Sequence, residues 1–560
     1  MKYKNITKIA INHFDANRSN ETIFEFRINN FQDLKKLKKK KDHWDDKKNI
    51  KKDYIYIFNL YLNLSKQISK NLNKIHKKNF PYKYWEILIG PWLWSFLDNT
   101  YERYNSIKFF LKENRGKKFY VNDFQMKKKI TPNLVEQIPN YFYDSFWNYE
   151  CSINIIKSAF KHKIFLKKKH SATKEKEFSK YISYNENKHK KIEIIYYTNI
   201  ISNNYLIFEG TFSKKILLEY FLNLKFFPIK KKIVFTNIGN SSLINYNIRK
   251  KINISLSNKN KYEKFISSYI KEQIPRCLIE NYSSIFKTIH NSKLPNKTDK
   301  ILSSTSLWFK TIETFYIANQ TVNSSSQLDY FQHGAEYGYS DSFNEYHEKS
   351  VSKHFYTWGW SEKSKSTIPY KITKNKIIVN KYRPKNKILI ILRTSKQYFR
   401  LGTSQIGLKN WISYLNECLN IPKYLKKFKN KEIIVRFYKT EWFNQKKIWK
   451  DLYPDIEYDY SFGEIKQKIN SSKVVICTYL STLFFELIHI NYPVVLLYPL
   501  STNLIRQKEL KYFKMLKDGN ILFETGKELS LHINNTNIEK WWNSKKNQKI
   551  ISIYKEKFCK

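Results

Sequence analysis

From about residue 190 onward the chain alternates between short β-branched or aromatic runs and amphipathic segments, and few architectures accept that pattern. "KIEIIYYT", "KKIVFTN" and "QLDYF" have the length and make-up of strands, while "KKILLEYFLNL" and "SLWFKTIETFYIANQ" space their apolar residues as helices do. Such alternation implies parallel sheet built from βαβ units.

A second run of the same kind starts after the polar stretch "SEKSKSTIPYKITKNK". Its strands are read at Asn386–Arg393, Glu432–Tyr438, Lys473–Thr478 and Tyr492–Tyr498, with helices near 407–427, 462–471 and 481–490. The first 150 residues are instead helical and aromatic, as in "DYIYIFNLYLNLSKQISKNLNKIH". The expected organisation is a helical region (1–150), a first α/β domain (151–365), a second (386–535) and a C-terminal helix (536–560). The fold class expected is α/β, with two Rossmann-like domains facing across a cleft.

Charge bounds the partners. With 102 Lys+Arg against 48 Asp+Glu the formal net charge is +54, which ordinarily points to nucleic acid. The excess is spread along the chain together with Asn, Ile, Tyr and Phe, residues of G- and C-poor codons, so it reads mostly as genomic bias with some affinity for polyanions or anionic headgroups. No specific nucleic-acid partner is expected. The basic runs Leu34–Trp44, Phe165–His170 and Ile229–Phe235 read as solvated faces. Five cysteines (Cys151, Cys277, Cys418, Cys477, Cys559) lie far apart without CxxC spacing, which argues for a reducing compartment and against zinc. "ILIGPWLWSFL" is interrupted by Gly90-Pro91 and falls short of the ~18 residues of a spanning helix, and the opening residues have no apolar h-region. The expectation is a cytoplasmic protein, with peripheral contact at the cytoplasmic face of the inner membrane and the aromatic segment 84–97 available to dock a partner or that face. Tyr101, Arg103 and Tyr104 read as packing residues, Arg103 snorkelling.

Two stretches carry chemistry. In "QLDYFQHGAEYGYSD" a strand runs straight into a loop, so His333 is expected at the carboxyl edge of a parallel sheet, where open α/β folds bind ligands. Imidazole there suits general-base work. Glu336 and Asp341 are alternative bases, and a structural histidine bonded to a loop carbonyl is the other reading of His333. Gly334 is expected to turn the chain sharply off the strand, and Gly338 to let backbone pass close to a substrate.

In "VVICTYLSTLFFELIHINYP" the strand ends at Thr478 and Ser481-Thr482 stand where the next helix starts, with free N–H groups and the positive end of the dipole. Ser481 and Thr482 then read as phosphate ligands and Glu486, one turn on, as an acceptor for a hydroxyl such as that of ribose. An N-cap followed by an ordinary glutamate accounts for the same residues. Arg393 and Arg436 end strands facing the cleft, where guanidinium can grip phosphate. No aspartate pair follows a strand end in the second block, so no metal is expected, and charge at a diphosphate would be met by dipole and basic side chains.

The order of these segments resembles GT-B-like transferases of bacterial surface polymers: the glycerol-phosphate polymerases of teichoic acid and, more loosely, capsule sugar transferases. More closely, "HWDDKK", "PYKYWEILIGPWLWSFLDNTYERYNSI", "FQHGAEYG", "FYTWGW", "VRFY" and "YLSTLFFELIHINYP", taken together over residues 43–493, resemble a family of transferases from O-antigen and surface-carbohydrate gene clusters. The resemblance implies a transferase moving a sugar from a nucleotide-activated donor to a surface glycan or lipid-linked acceptor, with no cofactor beyond that co-substrate. It maps the polymerases' base onto His333 and their donor contacts onto Ser481, Thr482 and Glu486. Two departures stand out: the polymerases' tryptophan before the histidine is Gln332, and their second-domain Arg-Pro-His is Arg436-Phe437-Tyr438. Sugar transfer therefore fits better than a two-histidine phosphotransfer. A polyanion binder or an assembly scaffold is the non-enzymatic alternative.

Overall fold

The computed structural model describes residues 7–11, 43–124, 130–131, 142, 144–177, 179, 191–199, 204–210, 212, 214–223, 227–236, 243–257, 260–373, 386–394, 407–438, 444–460, 465–500 and 503–560. Most of the basic run at 34–44, and the linker between 374 and 385, lie outside the described residues.

The amino-terminal part is built on two long helices, α1 (Lys47–His76) and α2 (Tyr82–Glu113). Asp46 caps α1 through the N–H of Lys48, and Ile50, Ile57, Leu60, Tyr61, Leu64, Ile68 and Leu72 give it one buried stripe. The second helix is apolar all round because it is the centre of the region: Trp85, Trp92 and Trp94 are all buried. It runs unbroken through Gly90-Pro91, contrary to the expected interruption. Gly90 instead marks a close approach, since a Cβ there would lie 2.3 Å from Cε1 of His347. With its tryptophans in the core, segment 84–97 is not a docking surface. Arg103 does not snorkel either; it is fully buried, with Nε donating to Asn148.

This part is not wholly helical. Strands β1 (Thr7–Lys8), β2 (Phe119–Phe124) and β3 (Ile164–Lys169) form a small parallel sheet, with helix α3 (Ser145–Ile155) between the last two.

The first α/β unit holds β4 (Lys191–Asn199), β5 (Tyr205–Phe208), β6 (Pro228–Thr236), α4 (Lys261–Gln273), β7 (Lys300–Ser303), α5 (Thr311–Asn323), β8 (Gln327–Phe331), α6 (Phe343–Val351), β9 (His354–Thr357) and β10 (Thr367–Pro369). Its sheet runs β10-β9-β8-β7-β5-β4-β6. All its pairs are parallel except those of β4, which is antiparallel to both neighbours and departs from the all-parallel expectation.

The second unit holds β11 (Lys387–Ile391), α7 (Leu408–Tyr424), β12 (Ile433–Arg436), β13 (Glu457–Asp459), β14 (Ser472–Cys477), α8 (Thr482–His489), β15 (Val494–Leu497), α9 (Leu510–Asp518), β16 (Leu522–Phe523), α10 (Gly526–Asn535) and the terminal helix α11 (Lys545–Phe558). The sheet is fully parallel in the order β13-β12-β11-β14-β15-β16. In chain order that is 3-2-1-4-5-6, the doubly wound arrangement whose strand order reverses between its first and fourth strands. Ligands of such sheets bind outside the carboxyl ends at that reversal, here between β11 and β14.

The two units meet by their carboxyl edges. Asp341, beyond β8, bonds Arg506, beyond β15, and after α11 the chain returns to the first unit, where Lys560 exchanges backbone hydrogen bonds with Trp358 and Ile372. The result is two Rossmann-like units across a cleft, a GT-B-like arrangement. No helix among the described residues is long and apolar enough to cross a membrane.

Candidate functional site

The first unit contributes the loop after β8. Gln332 is almost fully buried and ties the loop down: its Oε1 accepts from the N–H of Trp358 at 3.0 Å and from the indole of Trp360 at 2.8 Å, while Nε2 donates to Gly334 O at 2.8 Å. The next side chain, His333, is 16 % exposed, and the ring of the half-exposed Phe309 lies 6.4 Å from its own. Behind it, Nδ1 lies 3.1 Å from the Tyr337 hydroxyl and 3.5 Å from Oε1 of Glu348 on α6. That carboxyl is fully buried, and its Oε1 also receives Tyr337 O–H at 2.8 Å and Trp308 Nε1–H at 2.5 Å. Burial holds Glu348 well above the usual carboxyl range, and the two hydrogen bonds only partly oppose this.

The two glycines of the loop differ. Gly338 is obligatory: its φ is +84° and a Cβ would stand 2.7 Å from the Trp360 indole. Its N–H donates to Glu345 Oε2 at 2.8 Å, so the constraint is packing rather than passage of a substrate. Gly334 has no left-handed φ, and a Cβ there would meet nothing within 4 Å, so no sharp turn depends on it. Asp341 is an ion-pair partner: its Oδ1 accepts from Arg506 Nε at 3.1 Å, and the same guanidinium reaches Glu345 at 3.0 Å.

The second unit contributes a cavity of about 250 Å³ at the strand-order reversal. Arg393 comes from the end of β11, Thr478 and Tyr479 from β14, Tyr498 from β15, Glu524 and Thr525 from β16, and Tyr414 from α7. The Arg393 guanidinium lies over the Tyr414 ring at 4.4 Å. The hydroxyl of Thr478 donates to Ile391 O at 2.8 Å and lies 2.7 Å from Tyr414 OH, whose oxygen accepts the Arg393 N–H at 2.9 Å. Thr478 thus ties β14 to β11 and sets the floor of the cavity. Burial raises the hydroxyls of Tyr479 and Tyr498; in both, Arg393 opposes the shift and Glu336 adds to it.

A family model described as LIC12162 family transferase matches residues 25–560. The chain belongs to that family. As a transferase of this family, it carries the β8 loop and the strand-reversal cavity on one matched span. Among solved structures it is similar to a protein described as a UDP-N-acetylglucosamine 2-epimerase from Listeria monocytogenes (9 % identity, TM-score 0.34, covering 52 % of this chain and 80 % of that one). It is also similar to the wall teichoic acid polymerase TagF (10 %, 0.28, 50 % and 80 %) and to S. aureus MnaA bound to UDP (11 %, 0.31, 52 % and 80 %). At TM-scores below 0.5 these likenesses are remote, and the arrangement stands on this chain's own strands. No curated protein sequence matches.

The remaining expected residues sit elsewhere. Ser481 is the N-cap of α8, its hydroxyl accepting from Phe484 N at 3.3 Å, and neither it nor the half-buried Thr482 nor the buried Glu486 lines the cavity. Arg436 grips Asp459 on the neighbouring strand at 2.6 Å instead of facing the cavity. Sequence reasoning missed Tyr337, Glu348, Tyr414 and Tyr498. Only Tyr337 had a local signal, four residues from His333.

Proposed function

We propose that this transferase moves a sugar from a nucleotide-activated donor to a hydroxyl of a bacterial surface glycan or its lipid-linked precursor. The observation that carries the reading is the hydrogen bond from Arg506 N–H to Tyr339 O at 2.8 Å, which ties the loop that begins at His333 to the segment after β15 whose Pro499 and Asn503 line the cavity. A donor seated on Arg393 would present its transferable group toward that loop.

The cavity suits the nucleotide part. At about 250 Å³ it falls just under the ~300–1,000 Å³ typical of small-molecule sites, so the sugar would extend into the cleft. Aromatic faces of Tyr414, Tyr479 and Tyr498 serve a base, Asn503 and Glu524 serve ribose hydroxyls, and Arg393 serves the diphosphate. In the transfer, His333 takes the acceptor hydroxyl proton as oxygen bonds to the anomeric carbon. The bond from that carbon to the phosphate oxygen breaks, and the nucleoside diphosphate departs with charge that Arg393 stabilises. Contact with the cytoplasmic face of the inner membrane would follow from a lipid-linked acceptor.

Melting temperature against CMP, CDP, UDP, GDP and ADP tests the reading, with Arg393→Met beside the wild type. Stabilisation by one base in preference to the others, lost in the variant, supports it. An equal response to every nucleotide and to plain polyphosphate would mean a polyanion binder.

A further inference from the structure

A cation at the first position of a helix opposes the helix dipole, so a lysine there calls for a reason outside the helix. Lys47 opens α1 directly after its cap, Asp46, and the first turn carries no acidic residue to offset it. Burial also pushes its ammonium below the usual lysine range, with Glu524 opposing the shift. The reason lies in the second unit. Lys47 Nζ donates to Leu500 O and to Asn503 O, each at 2.9 Å. Across the same stretch Asn503 Nδ2 donates to Pro499 O at 2.7 Å. Pro499 and Asn503 line the cavity at the strand-order reversal, so one ammonium from the amino-terminal helices holds a wall of that cavity.

We propose that Lys47 is a positioning residue of the donor site, a clamp from α1 that fixes the wall at Pro499 and Asn503 and couples the amino-terminal helices to donor occupancy. The proposal rests on the reading of the cavity as the nucleotide site, and it brings into that site a part of the chain outside both Rossmann-like units. The base of the clamp is firm. Trp44 is buried just ahead of α1, its indole donates to Asp53 Oδ2 at 2.9 Å, and Tyr101 of α2 donates to Asp53 Oδ1 at 2.9 Å. The far end of the wall segment is held as well, by Arg506 N–H on Tyr339 O at 2.8 Å. A wall fixed in advance needs no ordering when the nucleotide arrives, and affinity gains by what is not spent. Linkage is reciprocal: if the clamp strengthens nucleotide binding by some factor, bound nucleotide strengthens the clamp by the same factor.

The test uses the full chain as wild type, Lys47→Met, Lys47→Arg and Arg393→Met, with CDP, UDP, GDP and ADP as probes. Calorimetric titration gives Kd for whichever of the four raises the melting temperature most. Lys47→Met should raise that Kd roughly 5- to 50-fold. Without nucleotide its melting temperature should stay within about 3 °C of wild type, because methionine removes a charge unfavourable to α1 together with the two hydrogen bonds. Lys47→Arg keeps N–H groups for the two carbonyls and should stay within about threefold of the wild-type Kd. Hydrogen exchange at the start of α1, read by peptide mass spectrometry, needs no variant: saturating nucleotide should slow it in the wild type, and should leave it unchanged in Lys47→Met. A folded Lys47→Met protein with wild-type Kd overturns the clamp, as does a Lys47→Arg protein as impaired as Lys47→Met. Nucleotide that binds the wild type and leaves exchange at the start of α1 unchanged overturns the coupling. An Arg393→Met protein that binds as tightly as wild type overturns the reading of the cavity itself, and the part of Lys47 in donor binding with it.

Discussion

Arg506 of the second α/β unit donates from Nη2 to Oε1 of Glu345, a buried carboxylate of the first unit, at 3.0 Å. Its backbone N–H bonds Tyr339 O at 2.8 Å, and Lys47 at the start of α1 donates to Leu500 O and Asn503 O at 2.9 Å each. The segment that carries the cavity wall at Pro499 and Asn503 is therefore held from the opposite unit and from the amino-terminal helices.

The latch divides its two acids. Arg506→Met leaves Glu345 buried with, among the described residues, only the Gly338 N–H and Lys349 at 3.6 Å, and should cost about 2 kcal/mol in urea unfolding. Asp341 has a side chain 60 % exposed, so Asp341→Asn should cost less than about 1 kcal/mol and leave the transfer rate near wild type. A large loss of rate in folded Asp341→Asn would return Asp341 to the chemistry.

The glycines of the loop make a matched pair. Gly338→Ala forces a Cβ into Trp360 on a left-handed backbone and should destabilise by about 2–3 kcal/mol. Gly334→Ala has open space and should stay within about 0.5 kcal/mol of wild type. Thermal melts of the two variants check both.

His347 makes the protein sensitive to acid. It is fully buried against Gly90 and Phe343, and burial pushes its imidazole down to about 3. The unfolded chain takes up this proton near pH 6.5 and the folded chain does not, so stability is fully present above pH 6.5 and is lost as pH falls toward 3. At pH 5 the loss from this residue should be about 2 kcal/mol. His347→Leu should remove that slope, and denaturant unfolding at pH 7 and pH 5 measures it.

Four strands of the second unit were legible because each carries a β-branched run next to lysine, glutamate or proline, as Asn386–Arg393 shows for β11, whereas the short β13 and β16 were not read. What could not be read was register. Arg393 and Arg436 look equivalent in sequence, each at a strand end. Register places Asp459 directly beside Arg436 on the neighbouring strand, while Arg393 stands two residues beyond β11 over the cavity. Glu348 was invisible for a similar reason, since it reaches His333 only because α6 packs beneath the loop. The cavity tyrosines come from segments far apart in the chain, and only the strand order, 3-2-1-4-5-6, gathers them. Ser481 showed its capping chemistry in sequence, and capping is what its side chain does here.

That contrast can be measured. Arg393→Met should weaken nucleoside diphosphate binding by about 2 kcal/mol while the fold is retained. Arg436→Met should leave affinity unchanged and lower stability by about 1 kcal/mol or more, because Asp459 loses its partner. Calorimetric titration of both variants with the preferred nucleotide separates the two roles.

The most direct measurement is the rate at which nucleoside diphosphate is released from donor in the presence of acceptor, comparing wild type with His333→Ala across pH 5.5–9. Transfer by general base at His333 predicts a fall of roughly 10²- to 10⁴-fold in the variant, with donor affinity and melting temperature near wild type. It also predicts a wild-type rate rising with pH through a group near neutrality, a limb that the variant lacks. A folded His333→Ala protein that releases nucleotide at the wild-type rate, with the same pH limb, would contradict the account.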